Sequence, residues 1–379
     1  MRANAYIGAI LPGTLELARQ ALVGMRQWCE RHPQFGINLI SEYEQDPRLF
    51  KHSPDIRFIG VVAFFLDDEA IDCLQRNFSR NIVCISNRNP LLRVPKVIND
   101  DLRIGRVGVD YFYNRGYRTI AFFGSSALEF SNVREAGYRL RVKELGLPCH
   151  CFDVGSMDAR SIDRILDLDT RTAMVCASDH HARLLIDRLA APLTTVPSRL
   201  AVLGVDNDTF QNSLSPIGLS SIRLSGERIG FEAADLIHRL HRGENAPATP
   251  LLIAPQSIVP RRSTDALAIE DALVLRTMRL IQSRIADFPD VFSLLAELNV
   301  SRRTLETRFR KATHRSLLNE LTDARINKAR DLLASTRLSI KEIADLTGIP
   351  DQSGFSKVYK RETGETPSAF RERVRPAMS

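Results

Sequence analysis

No run of apolar residues in this 379-residue chain is long enough to cross a bilayer. The longest, "FIGVVAFFL" from Phe58 to Leu66, is less than half the length a membrane helix needs and reads as a buried strand. The N-terminus carries one early arginine and then "AYIGAILPG" without a small-residue cleavage site, so a first strand is expected there rather than a signal peptide. Six cysteines lie within the first 176 residues and form no CxxC. Cys149 and Cys151, one residue apart, lack zinc-site spacing, so reduced and mostly buried cysteines in a cytoplasmic protein are expected. No GxGxxG follows a strand, and GxxxxGK[ST], GxSxG and HExxH are all missing. These gaps weigh against a nucleotide-binding fold, a serine-hydrolase elbow and a zinc protease, and no catalytic residue and no cofactor is expected. His180–His181, His238 and His241 have no third ligand at a recognisable spacing, so no metal is expected either. The pair Asp67–Asp68 precedes "EAIDCLQRN" and reads as the acidic start of a helix rather than a phosphoacceptor.

What is present is an uneven charge. The net charge is +7. Residues 271–379 hold 20 Lys and Arg against 14 Asp and Glu, which places +6 in that segment and leaves +1 for the first 270 residues. A near-neutral large segment followed by a basic smaller one points to an anionic partner for the second, with nucleic acid the first candidate and a membrane surface disfavoured.

Residues 1–262 alternate strand candidates ("AYIGAIL", "INLIS", "IGVVAFF", "NIVCIS", "TIAFFG", "TAMVCAS", "LAVLGVD") with helical patterns. That alternation predicts an α/β domain with doubly wound parallel sheets, long enough for two of them. Ligands collect at the carboxyl ends of such strands. Those ends carry Ser86 and Asn87, Asp100, Ser125, Ser178 and Asp179, and Asp206 and Asn207. Taken singly these are cap and turn formers; together they suit a neutral, hydroxyl-rich ligand.

"VINDDLRIGRVGVDYFYNRGYRTIAFFG", "VREAGYRLRVKELG", "AMVCASDHHARLLIDRL" and "LAVLGVDNDTFQNSLSPIGLSSI" resemble the effector domain of LacI-type repressors, relatives of periplasmic sugar-binding proteins. The resemblance implies two lobes joined by three crossovers, a small sugar in the cleft between them, and a homodimer. It also implies that Arg134 and Asp206 hold sugar hydroxyls and that Ser178, Asp179 and Asp100 line the same cleft, with Asn87 nearby. At the start of the first helix, Leu17 and Ala18 stand where polar sugar contacts are implied, and Glu16 and Arg19 are the candidates to replace them.

After a linker at 263–270, residues 271–379 turn all-helical. "DVFSLLAELNV" repeats Phe292, Leu295 and Leu298 at helical spacing, Asn299–Val300 turn the chain, and "SRRTLETRFRK" begins a helix with Ser301 as N-cap. Leu305 and Phe309 share one face of it, leaving Arg302, Arg303, Glu306, Thr307 and Arg310 as an outward stripe. "LSIKEIADLTGIPDQSGFSKVYKRET" repeats the arrangement with a Ser339–Glu342 capping box, buried Phe355, Val358 and Tyr359, and an outer face of Gln352, Ser353, Ser356, Lys357 and Lys360. Two helix-turn-helix units are therefore expected, at about 290–312 and 339–363, spaced by a helix through "SLLNELTDARINKARDLLAST". With the closing "FSKVYKRETGETPSAFR", this segment resembles the AraC-type DNA-binding domain. The resemblance implies that Arg303, Glu306, Thr307, Gln352, Ser353 and Lys357 approach bases in successive major grooves of operator DNA, while Arg302, Arg310 and Lys360 hold phosphates. The order of the two domains resembles the xylose operon regulators, which implies a pentose such as xylose as effector, control of a sugar-catabolism operon as an activator, and RNA polymerase as a further partner. The alternative reading is an enzyme on sugar or nucleic acid that uses the second domain for targeting.

Overall fold

The computed structural model describes residues 5–40, 56–64, 67–89, 91–265, 271–288, 290–313, 316–336, 338–349 and 351–374. It divides into two compact units, the first of residues 1–110 and 118–266 and the second of residues 267–379 with residues 111–117.

Among the described residues the first unit holds a four-stranded parallel sheet, a six-stranded sheet that is parallel except for one edge strand, and a two-stranded parallel pair, so the expected parallel sheets carry one antiparallel edge. Strands β1 (Ala5–Ile10), β2 (Phe35–Leu39), β3 (Phe58–Ala63) and β4 (Ile82–Cys84) lie in the order β2-β1-β3-β4. Next to β4, β5 (Val97–Asn99) follows a single parallel bridge between Cys84 and Lys96. The second sheet is built from β6 (Ile120–Gly124), β7 (His150–Asp153), β8 (Thr172–Cys176), β9 (Leu200–Val205) and β10 (Ser220–Ile222). Beyond them come β11 (Leu251–Ile253), parallel to β5, and β12 (Ile258–Val259), antiparallel to β10. The order β7-β6-β8-β9-β10 repeats that of the first sheet, a doubly wound arrangement whose ligand crevice lies outside the carboxyl ends of the strands.

Of the helices, α1 (Glu16–Arg31) and α2 (Asp68–Asn77) belong to the first lobe. Helices α3 (Asp101–Tyr113), α4 (Glu129–Glu144), α5 (Ala159–Leu166), α6 (Asp179–Asp187), α7 (Pro192–Thr195) and α8 (Thr209–Leu214) follow, and α9 (Gly226–His241) returns to pack on α1. The chain therefore passes between lobes three times: from β5 into α3, from β10 into α9, and from β11 into β12.

The α1–α9 contact is backbone-close. A Cβ on Gly24 would lie 1.8 Å from the Glu227 carbonyl oxygen, and one on Gly230 would lie 1.9 Å from that of Ala21. Trp28, fully buried there, donates from Nε1 to Asp235 at 3.3 Å. This packing accounts for the apolar Leu17 and Ala18. Ala18 is fully buried and Leu17 partly so in the same cluster as Ile229, Ala233 and Ile237. Asp67 caps α2 by accepting from the Ala70 amide at 2.7 Å, the helix-start role expected of it.

The short strands β5, β7, β10, β11 and β12 are additions to the expected set. Each has only two to four residues, too few for alternation to register. Two further expectations need correction. Three of the six cysteines are buried, Cys29 and Cys151 are half-buried and Cys149 is exposed. Ser263 and Thr264, placed in the linker by pattern, are buried in the first unit. The Ser263 hydroxyl donates to the Val202 carbonyl at 2.6 Å, and its oxygen accepts from the Ser220 amide at 2.8 Å. Their small polar side chains fill a hydrogen-bonding role beside β9 and β10 that hydropathy does not register.

The second unit is all-helical: α10 (Ala272–Arg284), α11 (Val291–Leu298), α12 (Arg302–Thr313), α13 (Leu317–Ser335), α14 (Ile340–Leu346), α15 (Gln352–Thr363) and α16 (Pro367–Val374). It has two cores. Leu294, Leu298, Leu305 and Phe309 form one with α10, while Ile343, Ala344, Phe355 and Tyr359 form the other. Helix α13 enters both, giving Leu317 and Leu321 to the first and Ile326, Ala329 and Leu333 to the second, and so sets their spacing. Burying each Leu or Phe contributes about 1.5–3 kcal/mol. Among the described residues no helix is long and apolar enough to cross a membrane.

Candidate functional site

Among the candidate ligand residues of the first unit, Arg134 lies one and a half turns into α4 and is only 4% exposed. A buried guanidinium needs acceptors. Its Nε donates to Asp101 Oδ1 at 2.8 Å, and Nη1 donates to the Ala177 carbonyl at the end of β8. The Phe130 ring lies 5.0 Å from the guanidinium carbon. Asp206 Oδ1 is 3.9 Å from Nη1, an ion-pair contact too long for a hydrogen bond.

Asp206 and Asn207, just after β9, both take positive φ (112° and 53°), a region unfavourable for residues with a Cβ. The turn is held from several sides. The Asn207 amide donates to Ser221 Oγ at 2.8 Å, Arg261 Nη2 donates to Asn207 Oδ1 at 2.7 Å, and the Asp208 amide donates to Asp179 Oδ2 at 2.7 Å. Such over-determined strain marks a site where a side chain is aimed for use. Burial raises the Asp206 pKa to about 7, with Arg134 opposing and the Asp208 and Asp101 charges adding to the rise. Asp179, 1% exposed, is pushed well above the carboxylate range by burial and by Asp206.

Arg134, Asp206 and Asp179 therefore stand together. Asn87 joins them through Asp101, whose Oδ2 accepts from Asn87 Nδ2 at 3.2 Å. The remaining candidates have structural commitments. Asp100 Oδ1 accepts from the Arg103 amide at 3.0 Å and caps α3. Ser178 caps α6 through the His181 amide and shares a hydrogen bond of 2.7 Å with His181 Nδ1. Burial lowers the His181 pKa to about 4, so this ring stays neutral. Arg19 is tied to Glu16 and to the Gly13 carbonyl, both at 2.6 Å. Asp101 was not among the expected ligand residues, and burial pushes its carboxyl up against the opposing pull of Arg134. Its signal was the acidic pair Asp100–Asp101 at a helix start, where one carboxylate suffices as the cap.

In the second unit the stripe on α12 is real but not uniform. Ser301 Oγ accepts from the Thr304 amide at 3.2 Å and starts the helix, while Asn299 closes α11 in the left-handed conformation (φ 52°). Leu305 and Phe309 are fully buried, and Arg303, Thr307 and Arg310 are exposed. Among the described residues Arg303 and Arg310 make no ion pair. Arg302 pairs with Glu306 at 2.8 Å, and its guanidinium carbon lies 5.7 Å from the centre of the Phe292 ring. Phe292 is accordingly not a core residue, as its spacing suggested, but 64% exposed; Val291 and Leu294 take the buried positions. Arg308, on another face of α12, makes two bonds of 2.7 Å to Asp271, the cap of α10.

On α15, Asp351 caps the start by accepting from the Ser353 and Gly354 amides, and Ser339 and Glu342 form the capping box of α14. Gln352, Ser353, Ser356, Lys357 and Lys360 line one shallow concavity on the outer face. Phe355 and Tyr359 hold the opposite face, with Val358 partly buried beside them. Two short helix pairs, each presenting a polar and basic second helix at a matching position, have the form of major-groove readers.

Known proteins carry the same two parts. Residues 109–264 match a periplasmic binding protein-like domain, and residues 294–373 match a helix-turn-helix domain. The xylose operon regulatory protein of Haemophilus influenzae is 27% identical over 326 residues, covering 82% of this chain and 84% of that protein. Its namesake in Escherichia coli K12 is 28% identical over 328 residues, covering 83% of each. The solved structure of a xylose-binding transcription activator superposes with a TM-score of 0.58 at 25% identity, covering 97% of both chains. The chain thus joins a periplasmic binding protein-like domain to a helix-turn-helix domain, the make-up of a sugar-sensing, DNA-binding transcription regulator of AraC type.

Proposed function

We propose that this regulator is controlled by a small neutral sugar, D-xylose first among pentoses, held in the cleft of its first unit. The observation that carries the reading is the pairing of Arg134 with a strained, upward-shifted Asp206 across a 3.9 Å gap. A sugar hydroxyl fits such a gap because it accepts from a guanidinium and donates to a carboxylate at once. Asp100, Asn87, Ser178, Asp179 and Arg19 complete the cleft as secondary contacts. The relatives named for the xylose operon support the choice of sugar.

On DNA, Arg303, Thr307, Gln352, Ser353 and Lys357 read base edges in two successive major grooves, and Arg310, Ser356 and Lys360 position the backbone. Arg302 and Glu306, paired to each other, hold the register of α12 and take a smaller share. The protein acts in the cytoplasm as a homodimer, activates a sugar-catabolism operon and contacts RNA polymerase. Sugar favours one arrangement of the two lobes, and that preference is what shifts the DNA-binding state.

A thermal-shift series against monosaccharides tests the ligand. A sugar at 100 times its Kd adds about 2.7 kcal/mol to the apparent stability. D-Xylose is expected to raise the melting temperature of the parent and leave Asp206→Asn unmoved. No shift with any pentose, or an equal shift in both proteins, removes the cleft assignment.

A further inference from the structure

Arg134 has two carboxylates within reach and is bonded to the more deeply buried one. The Asp101 side chain is 2% exposed and sits 2.8 Å from Nε, whereas that of Asp206 keeps 30% of its surface and stays 3.9 Å from Nη1. Building the deeper pair carries the larger desolvation penalty, so something has to favour it. Asp101 opens α3, directly after the first crossover between lobes. Its second oxygen accepts from Asn87, which follows β4 in the opposite lobe. One carboxylate thus joins the end of β4, the crossover and α4.

We infer that Asp101 is a positioning residue for effector binding: it holds the Arg134 guanidinium off Asp206 and ties that arrangement to the opposite lobe through Asn87. The inference rests on the reading of this cleft as the effector site. If Arg134 closed on Asp206 instead, the two groups would satisfy each other, and a ligand hydroxyl would have to break a largely desolvated ion pair to enter. With Asp101 as partner, the gap stays open for a hydroxyl that bonds to both sides. Asn87 adds a directional link, because it is bonded to the Asp101 oxygen that Arg134 does not use. Lobe movement that shifts Asn87 therefore acts on the orientation of the sugar-holding arginine.

The charged groups facing Asp206 are Arg134 from α4, Asp101 from α3, Asp179 from α6 and Asp208 from its own turn. Because burial raises the Asp206 pKa to about 7, the folded state binds this proton more tightly than the unfolded one. The stability it contributes is full below the ordinary carboxylate value, near 4, and is lost as pH rises through about 7.

The test is a four-protein cycle without ligand: parent, Asp206→Asn, Asp101→Asn and the double variant, melted from acidic to mildly alkaline pH. With Asp101 in place, the parent is expected to lose stability relative to Asp206→Asn as pH rises. In the Asp101→Asn background, Arg134 turns to Asp206, that relative loss disappears, and a crystal structure shows Nη1–Oδ1 contracting to about 3 Å. D-Xylose titrated calorimetrically is expected to bind Asp101→Asn at least tenfold more weakly than the parent, and Asp101→Glu, which keeps the charge, is expected to recover part of the loss. An unchanged pH drift in both backgrounds with the gap still at 3.9 Å overturns the inference. If the pH cycle behaves as expected while no monosaccharide binds the parent, the control of Arg134 by Asp101 stands and the sugar reading fails.

Discussion

Arg134→Ala is expected to destabilise the first unit by about 3–5 kcal/mol, the loss typical of removing one partner from a buried ion pair. The alanine leaves Asp101 3% exposed, with Asn87 as its remaining donor, and leaves the Ala177 carbonyl without its guanidinium partner. In a unit of this size each kcal/mol moves the melting temperature by roughly 2–4 °C, so a drop of about 10 °C is expected. The size of the drop depends on pH in a defined direction. The Asp101 carboxyl is already raised by burial, and without Arg134 it rises further. Below the ordinary carboxylate range it is protonated in both states and the damage is least; as pH climbs, keeping the bare charge buried costs more and the damage grows. Replacing both residues, as Arg134→Ala with Asp101→Asn, removes the stranded charge and is expected to restore most of the loss. A single variant that melts within about 2 °C of the parent, or a double variant no better than the single, would show that the pair is not the structural centre of the cleft.

The second large effect belongs to DNA binding, where Arg303 and Arg310, the arginines of α12 that make no ion pair among the described residues, are expected to fail differently. Arg303→Ala is expected to cost about 1–3 kcal/mol and to relax preference at one base pair, the loss of a bidentate guanine contact. Arg310→Ala is expected to weaken all sequences alike and to make the dependence of log K on log salt less steep by about 0.9. Lys357→Ala on α15 should alter preference about one helical turn, roughly 10 base pairs, from the position read by Arg303. Arg302→Ala should do least, because its guanidinium is already paired with Glu306 and lies against the Phe292 ring. Binding to a randomised library at two salt concentrations separates these outcomes. Uniform losses for both Arg303→Ala and Lys357→Ala would reduce the two helices to nonspecific electrostatics.

How much of this is legible in the sequence depends on whether a residue's role is local. The α1, α3 and α6 helices, the strands β1, β2, β3, β4, β6, β8 and β9 and both helix-turn-helix units declared themselves through period and caps: Ser301, Asp351 and the Ser339–Glu342 box start their helices as expected. The short strands β5, β7, β10, β11 and β12 did not, because their pairing is decided by neighbours distant in the chain. The same limit explains the errors. Phe292 fits a helical spacing yet lies exposed beside Arg302, one helix away, a placement that its own segment does not announce. In the cleft, the proximity of Arg134 and Asp206 was implied by family pattern, whereas the choice of Asp101 as the arginine's partner is a three-dimensional fact with no spacing signature. Leu17 and Ala18 are apolar because α9 packs on them, a contact between segments far apart in the chain that no local pattern announces.

A sugar held by Arg134 and Asp206, if it controls the DNA-binding state, has to change the affinity for DNA. The most direct measurement is the equilibrium affinity of the parent and of Asp206→Asn for a DNA site selected from the randomised library, with and without D-xylose. The sugar is expected to change the parent's affinity by about 5–150-fold, the usual range of an allosteric coupling, and to leave Asp206→Asn unaffected. Equal affinity of the parent with and without bound sugar, or an undiminished response in Asp206→Asn, would contradict it.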